Sequence, residues 1–360
     1  MTRTLTAAAT GAALLLAASP VGAPVGARAA TGPTLQQLIG QKLVVSMNGT
    51  KPSASLLTRA KRGKIGGLII HSTNFSSAAG LRGIATQLRQ AAVSGGQPPL
   101  LLAVDQEGGP VKTIKWIAPT ISPRRMGELG SSDVARRQGR RTGVALLDLG
   151  VNVDLAPVAD VPSSTESFMY RQGRTWSFGV AKTSRLANAF AVGLAHGGAL
   201  ASMKHFPGIG FAELNTDTNV VRITATATQL SPGLKPYRAA VANGVPLIML
   251  SNAVYTAYDR GHAAGWSRVI GSHLLRDQLG FGGVTITDSL DGAAHTRGIP
   301  TDPLAVRAAK AGTDMLLLTG SEASSRSVYR SLLEGVASGA ISLARLQASY
   351  ERIMALKAGL

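Results

Sequence analysis

The sequence predicts an α/β fold: a (β/α)8 barrel of the TIM type in a single domain. Three observations lead there. The chain carries eight short, continuous apolar runs, the pattern of parallel strands buried on both faces. Amphipathic segments of helical length alternate with them, which implies a parallel sheet with helices outside. Polar residues also gather at the ends of the runs, where such barrels place their active sites.

The runs follow in order. "LVVSM" (43–47), "GGLIIH" (66–71), "LLLAVD" (100–105) and "VNVDLAP" (151–157) are the first four. "LASMKHF" (200–206), "VPLIMLS" (245–251), "GVTITDS" (283–289) and "DMLLLTG" (314–320) complete the set. Between them lie "AAGLRGIATQLRQAAVSG", "SSDVARRQGRRTGVALLDLG", "SRLANAFAVGLAHGG", "GLKPYRAAVANG" and "VIGSHLLRDQLGF", read as helices. Eight strands suggest closure into a barrel. "SLARLQASYERIMALKAGL" reads as a final helix on the barrel exterior. No internal repeat or long low-complexity linker divides the chain, so residues 30–360 read as one domain.

Residues 1–29 read as a secretory signal peptide. Arg3 precedes the apolar run Ala7–Ala18, and small residues surround Arg28. This is the charged, apolar and cleavage-region plan of an export signal. The apolar core falls short of the roughly 20 residues needed to span a bilayer, and no later run is long enough for a transmembrane helix. Cysteine is absent, which removes disulfides and thiolate chemistry. The formal net charge is +18; loss of Arg3 and Arg28 with the leader lowers it by two. Such a charge suits polyanionic surroundings. For an exported protein these are anionic cell-wall polymers or membrane surfaces, and the expected location is secreted or wall-associated. The densest basic run, "TRAKRGK", has no aromatic platform beside it, which argues against nucleic acid.

The chemistry-bearing residues stand at strand ends: His71, Asp105, Lys204, His205, Ser251, Asn252 and Asp288. "AVDQEGGPVKTI" sets Asp105 and Glu107 just beyond the third strand, and either carboxylate can grip sugar hydroxyls. Lys204 and His205 supply donors at the end of the fifth. Asp288 closes the seventh, where a carboxylate can serve as the nucleophile of a retaining glycosidase. The sequence has no HExxH or other His pair at metal spacing, no GxxxxGK[ST] and no GxSxG, so no metal or cofactor is expected.

Together these segments resemble glycoside hydrolase family 3, and within it the single-domain β-N-acetylglucosaminidase (β-N-acetylhexosaminidase) branch. The resemblance covers residues 35–355. "GGLIIHSTN" resembles the family's second-strand segment, and "AVDQEGGPV" its DxEGG motif. "GVNVDLAPVADV" is similar to its fourth-strand motif, and "KHFPGIG" resembles KHFPGHG. "RDQLGFGGVTITDSL" resembles the nucleophile segment, and "AAKAGTDMLLL" the last strand. The resemblance implies a retaining glycosidase acting on β-linked N-acetylhexosamine, with peptidoglycan fragments as the expected substrate. It implies Asp288 as nucleophile and Asp105, Lys204 and His205 as sugar-binding residues. The family also binds sugar through an Arg directly before an SFG motif. Here Trp176 holds that place, and Arg174 is the candidate to reach the same site.

The acid/base is where the sequence departs from the pattern. Larger members take a Glu from a second domain, which a chain ending with its barrel would lack. The single-domain branch uses an Asp-x-His pair on the loop after KHFPGHG. Here Ile209 stands where the second His of that motif belongs, and Asn219 where the Asp-x-His motif needs its His. An imidazole exchanges protons near neutral pH and an amide does not. Three readings follow. Asp217 or Glu213 protonates the leaving oxygen, with burial raising its pKa. Alternatively, only substrates with good leaving groups are cleaved. In the third, the protein is a non-catalytic carbohydrate-binding relative that keeps the pocket. His295, seven residues after Asp288, is the remaining histidine near a strand end.

Overall fold

All eight apolar runs contribute a parallel strand. The strands are β1 (Leu43–Val45), β2 (Gly67–Ile69), β3 (Leu101–Val104), β4 (Val153–Asp154), β5 (Leu200–Phe206), β6 (Leu247–Leu250), β7 (Val284–Thr287) and β8 (Leu316–Leu318). They pair in sequence order, and β8 returns to β1 with Leu43 opposite Leu316. A bridge between Ile286 and Met315 joins β7 to β8 and closes the ring. This computed structural model describes residues 32–360 together with Met1, Thr2 and Thr4. Apart from those three residues, the leader expected over 1–29 lies outside the described part. Residues 33–360 form one compact unit.

Alternation along each strand separates two cores. Val44, Ile69, Leu101, Ala103, Val153, Met249 and Leu317 point into the barrel. Leu43, Val45, Leu68, Ile70, Leu102 and Val104 point outward, under the helices. Ten helices matter here. They are α1 (Leu35–Gln41), α2 (Ala54–Lys61), α3 (Ala78–Ser94), α4 (Ser132–Asp148) and α5 (Val180–His196). The others are α6 (Lys235–Ala242), α7 (Val269–Gln278, wound as a π-helix), α8 (Thr301–Ala311), α9 (Glu322–Ala337) and α10 (Leu343–Lys357). Helices α2–α9 each follow one barrel strand. Side-chain caps from Ser53, Ser77, Ser131 and Ser321 satisfy first-turn N–H groups of α2, α3, α4 and α9.

Helix α10 departs from the expectation of an exterior helix. Its Ile353 belongs to the barrel-interior core. Lys357 donates to Gln41 Oε1 and Gly66 O, and Arg352 forks onto buried Asp314. All three partners lie at the strands' N-terminal end. The helix therefore plugs the bottom of the barrel and leaves the opposite mouth for the site. No helix among the described residues is long and apolar enough to cross a membrane.

Candidate active site

Ile69, Met249 and Leu317, interior residues of β2, β6 and β8, contribute to the walls of a cavity of about 450 Å³ at the C-terminal end of the barrel. Asp105, Arg174, Lys204, His205, Asp217 and Asp288 line it. Six of the seven sequence-nominated site residues thus converge. The seventh, Glu213, is exposed and lines a separate groove with Phe211 and Leu214. Its backbone oxygen accepts from Arg171, which turns that part of the loop outward. His295 is also exposed and does not border the cavity.

One side of the cavity is a buried charge cluster. After β3 the chain makes a short hairpin over residues 106–112. Gly108 and Gly109 take φ of 93° and 62° there, a region that disfavours any side chain. A Cβ on Gly108 would also lie 2.8 Å from Pro119 Cγ. The hairpin tucks Glu107 inward. Arg174 clasps Glu107 with Nε and Nη2 at 2.9 and 2.7 Å. Lys204 Nζ sits 2.6 Å from Asp105 Oδ1 and 2.8 Å from Glu107 Oε1. Burial alone would push the Glu107 carboxyl up, but Arg174 and Lys204 outweigh it and hold the group at about 2. Burial likewise disfavours the Lys204 and Arg174 charges. Asp105 and Glu107 reverse this for Lys204, and Glu107 does so for Arg174, so both cations lie above their usual values.

The Glu107 side chain is fully enclosed and Asp105 is 35% exposed. Glu107 therefore holds the two cations and has no surface to offer a sugar. Asp105 keeps accepting capacity toward the cavity. Arg174 reaches the site although Trp176 holds the place before Ser177. The Trp176 side chain is buried, its indole N–H donating to Val158 O.

Lys204 and His205 are adjacent in β5, yet both line the cavity. Strand register slips between Met203 and Phe206, and such an irregularity re-aims side chains that would otherwise alternate. His205 Nδ1 contacts Asp160 Oδ2 at 2.8 Å. Asp160 Oδ1 accepts from the N–H groups of His205 and Ile209. Asp160 thus fixes the imidazole and leaves Nε2 toward the cavity. Sequence reasoning passed over Asp160. Its only signal was its place in "APVADV", one strand away.

The loop after β5 carries Asp217. Gly210 passes so close to Val161 that a Cβ would lie 1.7 Å from its carbonyl oxygen. Asn215 then caps a tight turn, its Oδ1 accepting from Asp217 N–H. The turn presses Asp217 onto Gly292, where a Cβ would meet the Asp217 carbonyl oxygen at 3.2 Å. Asn219 turns the other way, with Nδ2 donating to Asn215 O and Thr218 Oγ1. The partner of Asp217 comes instead from the end of β6. Asn252 Nδ2 approaches Asp217 Oδ1 at 3.4 Å and donates to Ser289 O at 2.9 Å. Asn252 is buried, and its Oδ1 has no hydrogen-bond partner among the described residues.

The negative charge of Asp288 is the largest influence on Asp217, followed by burial. Both push the Asp217 carboxyl up, to about 7, against smaller opposing effects of His205, Arg174 and the Asn252 hydrogen bond. Asp288 Oδ1 accepts from Ser289 N–H at 2.8 Å. The cavity therefore sets Asp217, a carboxyl held above the ordinary aspartate range, beside Asp288. That pairing is able to attack a carbon and protonate its leaving oxygen. Among the described residues, no group of three or more His, Cys, Asp or Glu has metal-holding geometry.

Comparisons with known proteins place the barrel in a family. The Glycosyl hydrolase family 3 N terminal domain matches residues 34–356. A secreted glycosyl hydrolase of Arthroderma benhamiae, itself uncharacterized, is 34% identical over 330 residues, 89% of this chain and 92% of that one. A beta-hexosaminidase of Tolumonas auensis is 30% identical over 310 residues, 84% and 89% of the two chains. Among solved structures, the family 3 beta-N-acetylglucosaminidase of Paenibacillus sp. superposes with a TM-score of 0.86 at 27% identity. That superposition covers 91% of this chain, which spans 62% of the Paenibacillus one. From the family match along almost the whole described barrel, the chain belongs to glycosyl hydrolase family 3, a family of glycosidases.

Proposed function

We propose that the protein is an exported retaining β-N-acetylhexosaminidase that acts on peptidoglycan-derived fragments, with Asp288 as nucleophile and Asp217 as acid/base. The observation that carries this reading is the raised Asp217 carboxyl beside Asp288 in one cavity. Asp105, Lys204, His205 and Arg174 hold the sugar. Asp288 attacks the anomeric carbon as the bond to the leaving oxygen breaks, and Asp217 passes its proton to that oxygen. Esterified Asp288 carries no charge, so the chief cause of the raised Asp217 value disappears. Asp217, now ionised and more acidic, takes a proton from the water that attacks the anomeric carbon, and Asp288 is released. Asn252 is the positioning residue for Asp217. The names of the Tolumonas and Paenibacillus relatives support the substrate class. The leader sequence and the secreted Arthroderma relative support export.

The test uses two aryl N-acetyl-β-glucosaminides that differ in leaving-group acidity. Asp288→Ala is expected to abolish turnover of both. Asp217→Ala is expected to lose roughly 10²–10⁴-fold on the poorer leaving group and far less on the activated one. Azide rescue of Asp217→Ala, with formation of the glycosyl azide, would place Asp217 at the leaving oxygen. No turnover by wild type, with sugar binding retained, assigns the chain to the non-catalytic binding relatives instead.

A further inference from the structure

Three neighbouring helices on one flank of the barrel are strongly basic. Helices α4, α5 and α6 contribute exposed Arg137, Arg140, Arg141, Lys182, Lys235 and Arg238. Their only acids are Asp133 and Asp148, and each is taken by an arginine: Asp133 by Arg136, Asp148 by Arg82 of α3. Arg137, Arg140 and Arg141 lie at i, i+3 and i+4, so they share one face of α4. None of these three makes an ion pair among the described residues.

The flank is rigid as well as basic. Glycines bring α4 and α5 into backbone contact. A Cβ on Gly139 would lie 2.2 Å from Phe190 O, and one on Gly193 2.2 Å from Arg136 O. Asn188 of α5 ties α6 through Pro236 O and the Asn243 amide. A groove of about 410 Å³ runs between the helices, bordered by Arg136, Arg185 and Lys235 with Ser132, Asn188 and Asn243. The backbone positions that carry these charges are therefore held at fixed spacing over three helices. None of them borders the sugar cavity, so an occupant here leaves the mouth open.

We infer that this α4–α6 flank docks a phosphodiester-linked polymer lacking nucleobases, of the polyol-phosphate kind. Charge complementarity is the main argument. Arginine predominates, and its planar fork matches phosphate oxygens bidentately. The aromatic residues of these helices, Phe190 and Tyr237, are buried, so the helices themselves present no ring on which bases could stack. Docking would hold the enzyme on its polymer while substrate exchanges at the free mouth. The inference is independent of which residue serves as acid/base.

The experiment measures binding of the mature protein to soluble poly(glycerol phosphate) across a salt series. The flank variant is Arg137→Gln/Arg140→Gln/Arg141→Gln. The control is Lys51→Gln/Lys61→Gln/Arg62→Gln, which removes the same charge elsewhere. The flank variant is expected to bind roughly tenfold more weakly with a shallower salt dependence. The control should change by less than about twofold, and both should hydrolyse a small aryl glycoside like wild type. Equal losses in the two variants would reduce the effect to diffuse net charge and overturn the site. No loss in either would overturn it too. A single-stranded oligonucleotide binding as tightly as the polymer near physiological salt would reassign the flank to nucleic acid. Equal binding of polygalacturonate would refute phosphate selectivity.

Discussion

Asn252 at the end of β6 supplies the hydrogen-bond donor that Asn219 does not give to Asp217. Its Nδ2 stands 3.4 Å from Asp217 Oδ1, while a 2.9 Å bond to Ser289 O keeps the amide from turning over. The bond favours the charged carboxylate and opposes the Asp288 charge. Asn252→Ala is therefore expected to move the alkaline limb of kcat/KM upward from about 7, with kcat down by roughly tenfold. Asn252→Asp adds a like charge at the same place and should move the limb further. A pH–rate profile checks both. An unmoved limb would leave Asn252 a structural residue only.

On the same loop, Asn219 bonds within its own turn, to Asn215 O and Thr218 Oγ1, and Glu213 faces outward. Asn219→Ala and Glu213→Ala should each keep kcat/KM for the poorer aryl leaving group within roughly threefold of wild type. Asp217→Asn should lose at least about 10² under the same assay. Steady-state rates of the three variants make the comparison. A large loss in Glu213→Ala would return the acid/base role to that residue.

These contrasts mark where the sequence is informative. The eight strands were legible because buried parallel strands need unbroken apolar runs, and residues 43–47 or 245–251 have no other use for them. Barrel geometry then brought Asp105, Lys204, His205 and Asp288 together, since every strand delivers its C-terminal residue to the same mouth. The loop was less legible. Asp217 and Glu213 are four residues apart in a segment without periodicity, so no pattern says which one turns inward. Asn252 was visible as a polar residue at a strand end and Asp160 only as part of "APVADV", and the partners of both come from other parts of the chain. Helix α10 misled because an amphipathic helix looks the same whether it covers a flank or plugs the barrel floor.

Glu107 was open to a sugar-binding reading, and its enclosed side chain gives it a different consequence. Glu107→Gln removes the anion between Arg174 and Lys204, leaving Arg174 without the partner that clasps it. The expected cost is about 3 kcal/mol of stability, with kcat/KM reduced by roughly 100-fold because Arg174 loses its anchor and Lys204 keeps only Asp105. The pH sign follows from a carboxyl held down at about 2. Its contribution is full above the ordinary glutamate value and fades as pH falls toward 2. The Tm gap between wild type and Glu107→Gln should therefore close in acid.

Asp154 in β4 gives the opposite pH dependence. It lies fully buried below the charge cluster, Oδ1 accepting from Gln106 N–H and Oδ2 without a partner among the described residues. Burial pushes its carboxyl up to about 8, aided by Asp105 and Glu107 and opposed by the Gln106 bond and Lys204. The folded state thus holds a proton that the unfolded chain releases near the ordinary aspartate value, about 4. Stability from this group falls as pH rises from about 4 to about 8 and is level above. Asp154→Asn keeps the acceptor for Gln106 N–H and carries no titrating proton. Its Tm should match wild type near pH 4 and exceed it by a margin that widens up to pH 8, as read by thermal melts across that range. A constant margin would mean that Asp154 is ionised in the fold, with Lys204 close enough to compensate the burial.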